Sequence, residues 1–525
     1  MSPREVDGAY GRAIAILDLL VMRWPESVGV REVAATVELP RTTVNRILMG
    51  LAEASACRIM PNGRYRLGHR ISVAAWVASR QNRWYKRVRE LMAALATRCG
   101  ETTMLTMVDD NGYARLIDVA ESAKPLRYRV ARGTPVPLTK GALGRALVGA
   151  MTDAQFDAIT GTGRFHDSGP AVGVMRDDSR KELSDNGYIV SIGEWIPEAL
   201  GVSAPVIVDD VVVGAIATTI PRARESELDL AALGSAVSAT AEQLSALPFH
   251  GDRGDTDAVE PATRAVPGSI VERLVMAFDR VALTGQLGIN GLEGVANCTP
   301  PTARRLVAET VSNGLLSRDR NRLVAGPVGL AWISKLSELD PRRIQSDILA
   351  DTAARFDETV ALGLLESDTR RLRISQSHAS TRPVHYALEP GDHLMLYAGA
   401  AGKAVLANLP SHTWPRELDP LTTATITDHS ELTADLTGIR EAGVAVSFGE
   451  HISDAVGIAA PVFDGLRVVG SITISIPRYR FDEKDLPTLT AAVREAAAMT
   501  TLLMTAESRP LSAVETPQPV RAQQP

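Results

Sequence analysis

Apolar residues recur at three- and four-residue spacing through residues 10–22 (YGRAIAILDLLVM), which places Ile14, Leu17, Leu20 and Val21 on one face of an expected helix. A second short helix is expected over 31–37 (REVAATV). Leu39-Pro40 then breaks the pattern, and a third helix is expected over 41–54 (RTTVNRILMGLAEA), with Val44, Ile47, Leu48 and Leu51 facing a core. Asn62-Gly63, between Arg58-Ile59-Met60 and Arg64-Tyr65-Arg66-Leu67, is a strong signal for a tight hairpin. A connecting helix is expected at about 76–98. Beyond it, strand-like runs (TTMLTMV, YIVSI, SAPVIV, VVVGAIATTI) alternate with helical stretches (ALGRALVGAM, ELDLAALGSAVSATAEQL). That order predicts an antiparallel sheet flanked by long helices, an α+β layer, with hairpin turns at Asp209-Asp210 and Asp464-Gly465.

The pattern then repeats. GVSAPVIVDDVVVGAIATTIPRAR (201–224) and GIAAPVFDGLRVVGSITISIPRYR (457–480) share twelve of 24 aligned residues at a constant offset of 256. GYIVSIGEW (187–195) matches GVAVSFGEH (443–451), and LTKGALGRALVGA (138–150) matches YAGAAGKAVLANL (397–409) after a small shift. A period this long means duplication of whole domains, not a solenoid. The expected plan is a three-helix unit with hairpin (1–75), a linker helix (76–99), a sensing domain (100–248) and a polar linker (249–267). The second copy follows over 268–335, 336–356 and 357–507, with a Pro/Gln-rich disordered tail at 508–525. Its second helix (GLEGVANC, 291–298) is weak, since each interior glycine costs about 1 kcal/mol against alanine.

Chemistry enters at the start of the third helix, where Arg41, Thr42, Thr43, Asn45 and Arg46 are left free of the core pattern. Arginine on guanine, asparagine on adenine and threonine on the thymine methyl are the pairings by which a helix reads the major groove. Arg64 and Arg66 on the hairpin are expected at phosphates. In the second copy the candidates are Thr299, Thr302, Arg304, Arg305, Arg318 and Arg320. The whole chain of 525 residues carries a net −6, yet residues 1–89 hold fifteen Lys/Arg against seven Asp/Glu, a balance of +8. Residues 268–340 hold eight against seven, a balance of +1, so the second reader is expected to bind more weakly, or to survive only for packing. Three scattered cysteines (Cys57, Cys99, Cys298), the absence of an apolar signal core and the absence of a membrane-length apolar run point to a reducing cytoplasm. The nine histidines form no metal spacing, and no nucleophile elbow or dinucleotide fingerprint is present, so neither a cofactor nor a catalytic residue is expected.

The series GRAIAILDLL, REVAAT, LPRTTVNRIL and NGRYRLG resembles the DNA-binding domain of IclR-type bacterial transcription regulators, and GALGRALVGA with ALGVSAPV…VVGAIATTIPR resembles that family's effector-binding domain. The resemblance covers most of the chain twice. It implies two winged helix-turn-helix domains alternating with two GAF-like domains, double-stranded DNA and a small organic acid or aromatic metabolite as partners, and homo-oligomers, a dimer first. The pocket walls would be the helix starting near Gly141 and the segment Ser191–Ser203, with helix-start NH groups favouring a carboxylate. Carried over by position, the effector residues are Ala142, Leu143, Ser191, Glu194, Gly201 and Ser203, then Ala400, Ala401, Ser447, Glu450, Gly457 and Ala459. The family often has a cysteine near Gly201 and Gly457, which this chain lacks. A sensor or scaffold without DNA binding, and a GAF-type enzyme, are the rival readings.

Overall fold

The computed structural model describes residues 8–109, 111–161, 170–247, 269–366 and 371–508. The expected linker at 249–267, all of the tail beyond Ser508, His166 and His250 lie outside them. Among the described residues no helix is long and apolar enough to cross a membrane.

Each copy begins with three helices and a hairpin. In the first copy these are Gly8–Arg23, Val30–Thr36 and Arg41–Glu53, then paired strands Cys57–Ile59 and Tyr65–Leu67. The hairpin turns at Asn62-Gly63, where Gly63 takes a φ of 72° that a side chain would strain. In the second copy the helices are Ile270–Thr284, Leu292–Val295 and Pro300–Ser312, with strands Leu316–Asp319 and Arg322–Ala325. The second of these helices shrinks to four residues, as its glycines lead one to expect.

The linker regions differ from the expected single helix. In the first copy the helix breaks at Asn82, giving His69–Gln81 and Arg83–Cys99; the Asn82 side chain caps the second by accepting from the Tyr85 NH at 2.9 Å. In the second copy Pro327–Leu336 precedes Pro341–Phe356, capped by Asp340. Each sensing domain is a six-stranded sheet with every neighbour antiparallel. Its long central hairpin is Ala199–Val208 with Val211–Pro221 in the first, and Ala455–Asp464 with Arg467–Pro477 in the second. The turn of the first uses Asp209 and Asp210, both at positive φ (49° and 62°). Alternation puts Met104, Leu116 and Ala217 on the face covered by helix Gly141–Ala150, and Leu105, Ile117 and Ile216 on the face covered by Leu230–Ser245 and Arg83–Cys99.

The two copies share a core. One hydrophobic cluster runs from Tyr10 to Ala506 and takes in both three-helix units and both linker regions, whereas each sensor's other face has its own cluster. The first helix of each copy packs on the third helix of the other. Trp76 and Trp332, 256 residues apart, make the exchange explicit: the Trp76 indole donates to the Leu339 carbonyl at 3.0 Å, and that of Trp332 to Asp18 at 2.8 Å. Both rings are fully buried, and Trp332 meets Phe278 edge-on at 5.2 Å. Asp18 in turn holds Arg115 of the first sensing sheet through two 2.8 Å bonds. At the centre, Arg70 pairs with Asp279 of the other copy; both are buried. Burial opposes the charge on Arg70, but Asp279, together with Glu495 and Glu272 beyond it, outweighs that and raises the guanidinium pKa. The structure therefore ties the first copy to the second through a shared core and paired polar contacts.

Candidate nucleic-acid interface and ligand pockets

Helix Arg41–Glu53 buries Val44, Ile47, Leu48 and Leu51, which fixes the opposite edge outward. Arg41, Thr42, Asn45 and Arg46 are exposed and Thr43 is half-buried, so the five side chains singled out from the sequence share one edge of one helix. In helix Pro300–Ser312 the matching edge is poorer. Arg304 is exposed, but Arg305 is tied to Glu309 at 2.6 Å, and the Thr302 hydroxyl is bonded to that of Thr299 at 3.1 Å. Glu309 also accepts from the Tyr10 NH at 2.8 Å, joining this helix to the first helix of the other copy.

The hairpin arginines stand elsewhere than expected. Arg64 curls back to the Ser27 carbonyl (3.0 Å from Nε) and to Glu32 (2.9 Å). Arg66 turns inward to Asp347 on the second copy's linker helix. There Arg58 Nε lies 3.0 Å from Asp351, and His69 Nδ1 lies 2.6 Å from the other oxygen of the same carboxylate. Two acidic residues one helical turn apart thus hold the first hairpin, and a phosphate would have to compete with them for Arg66. Counted from the capping residues Asn82 and Asp340, the positions of Asp347 and Asp351 are Arg89 and Ala93 in the other linker helix, so this clasp is one-sided. Arg318 and Arg320, on the second hairpin, line an open cleft of about 830 Å³ shared with Asp109, Gln155 and Asp209 of the first sensing domain. The expectation of hairpin arginines projecting toward phosphates is corrected for Arg66, and Arg318 and Arg320 face this cleft.

Each α+β domain has a small half-open cavity beside the helix that starts at Gly141 or Ala400. Ala142, Leu143, Ser191, Glu194 and Gly201 line the first (about 40 Å³), and Ala400, Ala401, Ser447, Glu450 and Gly457 line the second (about 60 Å³). Ser203 and Ala459 do not line them. The Ser203 hydroxyl bonds the Ile216 carbonyl at 2.9 Å inside the sheet, and Ala459 is packed in the core. Residues not singled out from the sequence also line the walls: Met104, Tyr128, Trp195 and Ile196 in the first, and Tyr386, His451, Thr473 and Ser475 in the second. The repeated Gly-Glu-Trp and Gly-Glu-His were the available signal for Trp195 and His451.

One NH at each helix start is taken up from within the chain. Gly141 donates to Glu194 at 3.0 Å, and Gly399 donates to Glu450 at 3.2 Å. Both glycines hold positive φ (81° and 80°), and a Cβ on either would sit 3.1 Å from the Cβ of Trp195 or His451. Behind the glutamates stand Arg145, 3.0 Å from Glu194, and the fully buried Lys403, 2.6 Å from Glu450.

Comparison with known proteins bears on the whole arrangement. The family model described as "Bacterial transcriptional regulator IclR C-terminal" matches residues 80–246 and again 333–501. The HTH-type transcriptional regulator KipR of Bacillus subtilis is 28% identical over 221 residues, covering 40% of this chain and 87% of the relative. The HTH-type transcriptional regulator BhcR of Paracoccus denitrificans is 27% identical over 240 residues, 43% of this chain and 84% of the relative. Among solved structures, an IclR transcriptional regulator from Alicyclobacillus acidocaldarius matches with 21% identity and a TM-score of 0.39, covering 45% of this chain and 96% of that one. The two regulators are thus covered over most of their length by less than half of this chain.

Proposed function

The chain belongs to the IclR family of bacterial transcriptional regulators, and on that premise we propose that it is an internally dimeric, ligand-responsive regulator that reads an imperfect palindrome. The two three-helix units act as winged helix-turn-helix domains. In the first, Arg41, Thr42, Thr43, Asn45 and Arg46 enter the major groove; in the second, Arg304 and Arg305 make the fewer contacts that remain. The observation that carries this reading is the exposed polar edge of helix Arg41–Glu53, in a segment (1–89) whose balance is +8. Because each first helix packs on the other copy's third helix, the spacing of the two reading edges is set by a shared core. One chain then supplies both heads of a dimer, and tethering raises the effective concentration of the second once the first has docked.

The GAF-like domains hold a small-molecule effector in the cavities lined by Glu194 and Glu450. An effector shifts DNA affinity only by its differential affinity for two head arrangements. Genome-wide mapping of binding sites tests the reading. Discrete sites sharing a two-fold sequence are expected, and an enrichment profile without a common sequence would refute it.

The weaker second edge gives a separate prediction. Replacing Arg304 and Arg305 by alanine is expected to reduce operator affinity about three- to thirty-fold, less than equivalent changes in the first head, since exposed phosphate or base contacts are worth about 1 kcal/mol or somewhat more each. Affinity unchanged in a retardation assay would show instead that this helix serves only to pack against Tyr10.

A further inference from the structure

The first hairpin is held by the other copy, and that hold has no counterpart on the opposite side. Arg58 and Arg66 are cross-strand partners, so they share one face of the hairpin, the face turned away from the buried pair Cys57 and Leu67. Helix Pro341–Phe356 of the second copy meets them with Asp347 and Asp351, one turn apart. Arg66 Nη2 lies 2.5 Å from Asp347, and Arg58 lies 3.0 Å from Asp351 and 3.7 Å from Asp347. His69 Nδ1 completes the group, 2.6 Å from Asp351.

The two hairpins can be matched by their anchoring bonds, Gly68 NH to the Ala56 carbonyl and Gly326 NH to that of Leu315, each 2.9 Å. Ser317, Val324 and Pro327 then stand where Arg58, Arg66 and His69 stand, and the other linker helix has Arg89 and Ala93 in place of the two acids. Both halves of the clasp occur together on one side, and both are missing from the other. The duplicated scaffold does not need it, because the opposite hairpin is placed without it. The clasp is also under-bonded. Arg58 Nε and Asp351 Oδ1 approach without the alignment of a hydrogen bond, and Arg66 Nε is buried with no hydrogen-bond partner among the described residues. Guanidinium donors left short of acceptors are held at a cost, and phosphate oxygens are strong acceptors for them. The hairpin that carries these arginines packs on the reading helix: strand Cys57–Ile59 contacts helix Arg41–Glu53, and the Tyr65 hydroxyl lies 3.6 Å from Met49 Sδ.

We propose that Asp347 and Asp351 form an autoinhibitory clasp that withholds Arg58 and Arg66 from the DNA backbone, and that opening it tightens the grip of the first head. This brake rests on the DNA-reading role given above. Helix Pro341–Phe356 packs on strands Thr359–Leu365 and Leu372–His378 of the second sensing sheet, and Ser346 Oγ lies 2.9 Å from His378 Nε2. The brake on the first head is therefore mounted on the second copy's sensing domain.

Asp347→Asn with Asp351→Asn keeps the size of both side chains and removes their charge. In retardation assays of the full chain across a salt series, this double variant is expected to bind promoter DNA about five- to fifty-fold more tightly than the parent. Scrambled DNA should gain by a similar factor, because phosphate contacts are blind to sequence. The slope of log affinity against log salt should steepen by about one to two, for the one or two phosphates engaged. Adding Arg58→Gln and Arg66→Gln should cancel the gain, whereas the same arginine changes in the parent should shift affinity by less than about three-fold. Should the double variant melt early, Asp347→Asn alone, which releases chiefly Arg66, should show a gain of the same sign. Unchanged or weaker binding by a folded variant overturns the clasp. So does a gain that survives loss of both arginines, which would be plain removal of negative charge. If the parent binds its promoter selectively and no clasp variant gains, the reading role stands while this inference falls. If an arginine-dependent gain appears on both duplexes with no preference between them in any variant, the clasp stands and sequence reading falls.

Discussion

Replacing Arg41, Asn45 and Arg46 together by alanine is expected to lower affinity for the preferred DNA site by about 10²- to 10⁴-fold, since each good side chain–base contact is worth about 1–3 kcal/mol. Thermal stability should stay close to that of the parent. All three side chains are exposed, and the core side of their helix, Val44, Ile47, Leu48 and Leu51, is untouched. Loss should be greatest for the preferred sequence and least for random DNA, because base contacts carry specificity while phosphate contacts carry general affinity. Competitive retardation with both duplexes separates the two. Equal losses on both would mean that the edge supplies charge and no reading.

The second large effect concerns the joint between the copies. Asp279→Ala leaves Arg70 charged and buried without its partner, a change expected to cost about 3–5 kcal/mol. In a chain of several domains that loss is read from the midpoint of the first unfolding transition and not from a global value. Replacing both residues by apolar ones of similar size, Arg70→Met with Asp279→Leu, should recover most of the loss, because a well-packed apolar pair avoids the desolvation penalty. The ion pair joins helix His69–Gln81 to helix Ile270–Thr284, so the single variant should also free the heads from one another and weaken tethered binding to two half-sites. A first transition within about 0.5 kcal/mol of the parent, as for an ordinary surface substitution, would show that the copies do not depend on this joint.

Much of the local structure was legible because it is written in short-range chemistry. Asn62-Gly63 and Asp209-Asp210 turn hairpins because Gly63 and both aspartates hold positive φ, and Pro40 starts the reading helix where its missing NH is no loss. The glycines of 285–294 foretold a stunted helix, and the 256-residue offset foretold two like sheets. What was not legible depends on contacts between distant segments. Nothing in YRLG says that Arg66 will meet Asp347, 281 residues away, and that contact takes the arginine from a phosphate-facing role. The linker break at Asn82 is a cap, visible only once the helix after it has a neighbour to pack on. The anion preference of a helix start is met in part from within the chain, since Glu194 and Glu450 each take one NH there. Ser203 was misplaced for a similar reason, its hydroxyl being used inside the sheet. One signal was present and went unread: the Ala-Trp pairs at 75–76 and 331–332 keep the repeat offset, and those two tryptophans mark the exchange between copies.

A regulator of this kind must grip a duplex by its sequence with the two heads of one chain. The most direct measurement is the affinity of the intact protein for its own promoter fragment and for a scrambled fragment across a salt series. Binding to the promoter at least about 10³-fold tighter than to the scrambled duplex, weakening steeply as salt rises, with a footprint covering two half-sites per chain, is the predicted result. Equal affinity for both fragments at every salt concentration would contradict it.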